Sequence, residues 1–306
     1  MTQSTSHKFY IVEEAEYGVL PAAAQFVEVP ITGTTLGLTK NATQANTIRS
    51  DRLIADYRDG TQQIGGDIKA ELQWQTIDML LEASVCGNWD TDTLKSGTAR
   101  RSFSILRHFT TLSGSDKPYQ LYSGIELNNI NIQLGTEGVT SATFSAIGKS
   151  VEVMADLPQG AVLNATAQIP AFDSFSGQVT EGGNNLAIAT ELGFTLENGI
   201  EPRFVIGSNE TIRPSIGLSN LTGTLGVYFE NHALLEKFLN GENSDISFSM
   251  ADPQGNQYIV KVPNLRYTGG QPDVEGTGAI IVSLPFQGLF SETDKTNLVI
   301  ERKAKV

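Results

Sequence analysis

One unit in this chain, a half-buried strand that turns into a short helix and returns to a strand, occurs twice, and its recurrence restricts the possible folds more than any other feature. In Ile64–Gln73 the apolar Ile68, Ala70 and Leu72 alternate with Asp67, Lys69, Glu71 and Gln73, the period of a strand with one wet face. The period then lengthens. Ile77, Leu80, Leu81 and Val85 fall at helical spacing, with Thr76 placed to open the helix and Gly87 to close it. After a turn-rich stretch, Arg101–Arg107 alternates again with Phe103 and Ile105 inward. From Leu221 the same order returns, with Gly223, Leu225 and Phe229 standing where Gly66, Ile68 and Leu72 stood. A helix bearing Leu234, Leu235, Phe238 and Leu239 follows, opened by Asn231 and closed by Gly241, and Ile246–Met250 repeats the Ser102-Phe103-Ser104 core. The expectation is a tandem duplication.

The chain has 306 residues, enough for two ordinary cores, and its 40% hydrophobic content sits between turn-forming Gly, Ser, Thr and Asn, which favours β structure. The expected division is a first domain over 1–155 with an amino-terminal arm and a long loop at 34–60, a connector at 156–190 rich in Pro and Gly, and a second domain over 191–306. With 34 acids against 21 bases the net charge is -13, which excludes a protein that grips nucleic acid by neutralising phosphates. A single cysteine, Cys86, cannot make an intrachain disulfide. The first residues lack an apolar signal region and no apolar run is long enough to span a bilayer, so a soluble product of the cytoplasm, without membrane insertion, is expected.

The loop at 34–60 is read as a long loop or protruding hairpin. Its interleaved Ile48, Arg49, Asp51, Arg52, Asp56 and Arg58 point to docking on a partner, and Arg203 to Pro214 forms a shorter version containing Arg213. Tyr119–Leu134 and Val139–Val153 form a long hairpin in which Asn129, Asn131 and Gln133 alternate with apolar residues, as Thr143 does with Ala142 and Phe144. The tail from Leu298 to Val306 reads as mobile.

Catalytic chemistry has no candidate. His7, His108 and His232 are scattered without ligand spacing, and there is no nucleophile elbow or phosphate-binding loop. Trp74 and Trp89 flank the first helix as core or interface anchors. No enzyme, metal or cofactor is expected.

A family resemblance runs through Asn46–Arg52, Asp78–Ala83 with Gly87-Asn-Trp89, Leu94–Gly97, Arg101–Ile105, Glu230 on to Lys237–Gly241, and Val282–Gln287. Over about residues 10 to 300 the chain resembles the tail tube (major tail) proteins of bacteriophages with long, non-contractile tails. The resemblance implies a mainly β (α+β) fold of two tandem tail-tube-type sandwich or barrel domains, each with one short flanking helix. It also implies a structural virion protein, made in the host bacterial cytoplasm, that self-assembles into stacked rings. Their bore is a conduit for genome DNA and tape-measure protein, and tail tip and tail terminator are further partners. Two domains per chain suit a trimeric ring with pseudo-sixfold symmetry, with a hexamer of chains as the alternative. On this reading Asp67, Lys69, Glu71, Gln73, Asn129, Asn131, Gln133 and Thr143 face the lumen, with Lys69 expected to be paired. Ile48, Arg49, Asp51, Arg52, Asp56, Arg58, Arg203 and Arg213 lie between stacked rings. A polysaccharide-binding sandwich module, or the tube of a contractile tail or secretion system, is the alternative.

Overall fold

The structure is a computed structural model that describes residues 4–44, 50–51, 53–54, 56–136, 138–272 and 277–305. The first half contains β1 (His7–Glu14), β2 (Gln25–Glu28), β3 (Gly33–Thr34), β4 (Gly37–Gln44), β5 (Tyr57–Glu71), α1 (Asp78–Ser84), β6 (Trp89–Asp90), β7 (Thr93–Lys95), β8 (Ser102–Phe109), β9 (Tyr119–Leu134), β10 (Ser141–Gly148) and β11 (Ser150–Met154). Then come β12 (Val162–Asn164), β13 (Asp173–Glu181), β14 (Asn184–Asn185), β15 (Ala189–Glu197), β16 (Glu201–Arg203), β17 (Ile212–Ser215), β18 (Asn220–Tyr228), α2 (Ala233–Asn240), β19 (Asn243–Ala251), β20 (Gln257–Tyr267), β21 (Ile281–Gly288) and β22 (Val299–Lys303). The fold is mainly β with two short helices, as the alternation predicts.

The same order of strand pairing occurs twice. In the first half β1 pairs with β8, β8 with β9 and β9 with β11 in one layer. In the other layer β3 and β4 pair with β5, β5 with β10 and β10 with β9. In the second half β13, β19, β20 and β22 repeat the first layer. There β15, β18, β21 and β20 repeat the other. Thus β5 corresponds to β18, β9 to β20, β10 to β21, β11 to β22, and β3–β4 to β15.

One long strand serves both layers of the first half because it bends. Gly124 of β9 has φ +68 and its N–H donates to Glu14 Oε1 at 2.9 Å, while a Cβ there would stand 2.8 Å from the Lys149 side chain. Only glycine fits this turn of the chain without strain. Past the bend, β9 pairs on its far side with β15, antiparallel, from Asn129 opposite Glu197 to Leu134 opposite Leu192. A second junction joins the halves in the other layer, where β7 pairs with β22. One cluster of buried side chains, from Phe9 and Ile64 to Phe286 and Ile300, runs through both halves.

Several local expectations are corrected. The helix α1 starts after Ile77 without a side-chain cap from Thr76, and the left-handed residue after its end is Cys86 (φ 51) rather than Gly87. β8 is dry on both faces: Phe103 and Ile105 enter the main core, and Leu106 joins Tyr10, Phe26 and Leu121 in a smaller cluster with β2. Residues 156–190 carry β12, β13 and β14, with Phe172 fully buried. The tail is not free. Leu298, Val299 and Ile300 are buried and β22 lies between β20 and β7.

Candidate assembly and lumen surfaces

Alternation on β5, β9 and β10 turns their polar residues to one side of one sheet, and strand register then sets them in rows. Lys69 stands opposite Thr143, Thr143 opposite Asn131, and Asn131 opposite Thr195 across the junction. Thr195 stands opposite Thr222, and Thr222 opposite Gln287. A neighbouring row runs Asp67, Ser145, Asn129, Glu197, Asn220. Glu71, Ser141 and Gln133 make a third with Gly193. Side chains link the rows: Ser145 Oγ donates to Asp67 Oδ1 at 2.7 Å, and Asn131 Nδ2 to Thr195 Oγ1 at 2.7 Å.

Over the junction this face is hollowed. A depression of about 700 Å³ is lined by Asn131, Gln133, Thr195, Thr222, Thr268 and Gln287. Seven of the eight expected lumen residues therefore share a continuous face. Gln73 does not join them: it lies past the end of β5, bridged to Ala171, beside a hollow with Lys8, Glu28 and Pro30. Lys69, expected to be paired, is exposed and has no side-chain partner among the described residues. The second-half residues Thr195, Glu197, Asn220, Thr222 and Gln287 were missed by sequence reading, although β15 and β18 carry the same alternation.

The long loop is a hairpin of β4 with the first part of β5. Ile48, Arg49 and Arg52 lie outside the described residues. Arg58 Nε reaches Asp56 Oδ2 at 2.6 Å and Lys40 Nζ reaches Asp59 Oδ2 at 2.7 Å, both exposed pairs of little energetic weight. Leu53, Ile54 and Tyr57 are 69, 66 and 63% exposed, so the arm presents apolar side chains as well as charge. The shorter arm, β16 with β17, stands beside it, with Gln62 N–H donating to Asn209 O at 2.7 Å. Its two arginines bond within the chain: the Arg203 guanidinium donates to Arg213 O, and Arg213 Nε to Glu126 Oε1 at 2.9 Å. Val205 and Ile206 are left exposed.

A family model described as phage tail tube protein matches residues 4–288. The chain belongs to the phage tail tube protein family. Comparison with curated proteins gives no match. Membership gives this tail tube protein a structural role as a component of the virion tail, and its family is one of structural proteins rather than enzymes.

The buried charges of the tail tube protein hold architecture together. Asp78 on α1 accepts from Tyr258 Oη and from the Arg302 guanidinium, and Arg302 also lies 4.0 Å above the Trp89 ring. Burial pushes the Asp78 carboxyl up, opposed by its two donors, and pushes the Tyr258 phenol up as well. Glu126, 2% exposed at its side chain, is held by Arg100 and Arg213. Glu181 accepts from Lys237 Nζ at 2.7 Å and from Tyr267 Oη at 3.2 Å, and burial raises the Tyr267 phenol. Trp89 is thus an anchor for Arg302, which no local motif foretold. Among the described residues no three metal-ligating side chains gather. His108 stacks on Tyr119, His232 meets Phe229 edge-on, and His7 accepts from Arg107 Nε.

Proposed function

We propose that the chain self-assembles head to tail into rings, three chains per ring with pseudo-sixfold symmetry, that stack into the tube through which genome DNA leaves the virion. The observation that carries this reading is the continuous, hollowed polar face that crosses both halves of the chain without interruption. On it Asp67, Glu71 and Glu197 outnumber Lys69, and a mainly uncharged or acidic wall does not hold a polyanion. The duplicated pairing order is read as two tandem domains, so that three chains present six similar wall segments. The tape-measure protein would occupy the same bore before ejection, and tail tip and terminator would cap its ends.

The two arms project beside each other, and their exposed Leu53, Ile54, Tyr57 and Ile206 suit docking on the adjacent ring. A cryo-EM map of assembled tubes checks both statements through the number of chains per ring and the seat of the arm tips. The bore assignment has its own test. Asp67→Lys with Glu71→Lys should leave tubes intact under negative stain and slow DNA delivery by virions carrying the variant; intact tubes with unchanged delivery would refute it.

A further inference from the structure

We propose that Glu126 is a positioning residue: by binding one arginine from each half of the chain, it holds the short arm in the posture from which both arms dock. This rests on the self-assembly reading above, in which the arms meet the adjacent ring.

Glu126 is buried at a place on its strand where a carboxylate would otherwise meet water. Ile125 and Leu127 face the main core, so the side chain between them leaves β9 on the opposite side. A register shift falls where Ser145 stands opposite Asn129 and Ala146 opposite Leu127, and it sets Glu126 on the same side as Asn129, Asn131 and Gln133. By position and chemistry Glu126 continues their polar face, yet the root of the short arm lies over it. A carboxylate is costly to bury unless cations and donors meet it. Here Arg100 from the first half binds Oε2, and Arg213 Nε from β17 donates to Oε1 at 2.9 Å. Arg100 Nη2 also donates to Pro214 O at 2.9 Å, so one guanidinium grips the carboxylate and the backbone of the arm together.

The rest of the arm offers little to hold it. β16 and β17 make a two-stranded sheet of their own, and such a hairpin is marginal without a surface to pack on. Beyond the buried Thr211 and Pro214 its apolar side chains are uncovered: Phe204, Val205, Ile206, Ile212, Ile216 and Leu218 are all exposed. Near the tip, the bond from Gln62 N–H to Asn209 O ties the arm to β5, the strand that also builds the long arm. The posture therefore comes from directed, charge-assisted bonds at the root, which fix geometry more than they add stability. It also sets where Val205 and Ile206 stand against Asp59 and Gly60 in the cleft between the arms. A docking surface made of two arms works only while they keep one spacing.

Trypsin reads the posture directly. The bond after Arg203 lies in the arm and follows a guanidinium held on Arg213 O, whereas the bond after Arg213 precedes Pro214 and resists cleavage. In the full chain, Arg213→Ala leaves Glu126 its bond to Arg100 and removes the arm's side of the latch. Cleavage after Arg203, followed by fragment mass, should quicken about tenfold as local opening becomes easier, with the melting temperature of the monomer unchanged. The protein concentration needed for tubes should rise by a similar factor, and Arg213→Lys, which keeps the cation, should restore most of both. Cleavage at the wild-type rate overturns the proposal, and so does faster cleavage with tubes at the wild-type concentration. A lower melting temperature with faster cleavage throughout the chain reduces the latch to a stability role and overturns it too. Wild-type protein that never assembles, even with tail tips as seeds, overturns the functional reading instead, and the cleavage rates then decide the posture alone.

Discussion

The helices α1 and α2 occupy corresponding places in a repeated order of strands, yet one is enclosed and the other lies at the surface. α1 inserts Leu80 and Leu81 into a core completed by the second half of the chain, whereas α2 leaves its apolar stripe only partly covered. The sequences do not announce the difference, since both helices are amphipathic and both follow a half-buried strand. What separates them is what stands alongside: α1 has Tyr258, Arg302 and Asn198 within reach, and α2 has no buried residue, with Leu239 66% exposed. A helix of this kind draws its stability from tertiary packing more than from its own propensity. The same amphipathic design can therefore be sealed inside the fold or left half-covered at its surface.

The sharpest way to break the comparison is at the ion pair that ties α1 to the tail. Arg302→Ala leaves Asp78 buried without its cation, and both side chains are 13% exposed, so a loss of about 3 kcal/mol in monomer stability is expected by urea unfolding. A shift below about 0.5 kcal/mol would show that β22 is not a clamp. Next comes a matched pair of truncations. Leu81→Ala removes a side chain that is 1% exposed and should cost about 3 kcal/mol. Leu235→Ala, on the half-buried stripe of α2, should cost only about 1 kcal/mol. Equal losses from the two would remove the distinction between a sealed and an open helix.

The smallest effect is one the two regions share. Tyr258 donates to Asp78 beside α1, and Tyr267 donates to Glu181 beside α2, and burial raises both phenols above the ordinary value of 10.0. In the unfolded chain these groups ionise near that value, while the folded chain keeps its protons. Their contribution is thus complete below pH 10 and is lost as pH rises beyond it. Unfolding midpoints measured from pH 9 to 11 should fall, and Tyr258→Phe and Tyr267→Phe should each flatten the slope by a similar amount.

Much of this was legible along the chain. Alternation in 64–73 and 129–134 is visible because each wet position is next to a dry one, and this assigned Asp67, Lys69, Glu71, Asn129, Asn131 and Gln133 to one kind of face before any neighbour was known. The recurrence of strand and helix predicted two helices in a β fold, and the motifs Asp78–Ala83 and Lys237–Gly241 lie on or at the end of those helices. Gln73 illustrates the limit. Its parity matches Glu71, but β5 ends at Glu71, and parity carries no meaning past the end of a strand. The tail misled in the opposite direction, because its bases suggested solvent while Leu298, Val299 and Ile300 supplied the side chains that bind it.

By itself, the sequence determined period: which residues face inward on each strand, where the two helices form, and that the pattern repeats. Tertiary structure decided partnership: that β9 bends at Gly124 to serve two layers, that β15 joins its far edge, that β4 lies along β5, and that β22 closes over α1. The physical reason is that alternation is fixed by the residue's own neighbours along the chain. Which edge a strand meets depends on backbone groups that are alike in every residue and on whatever else has already covered them.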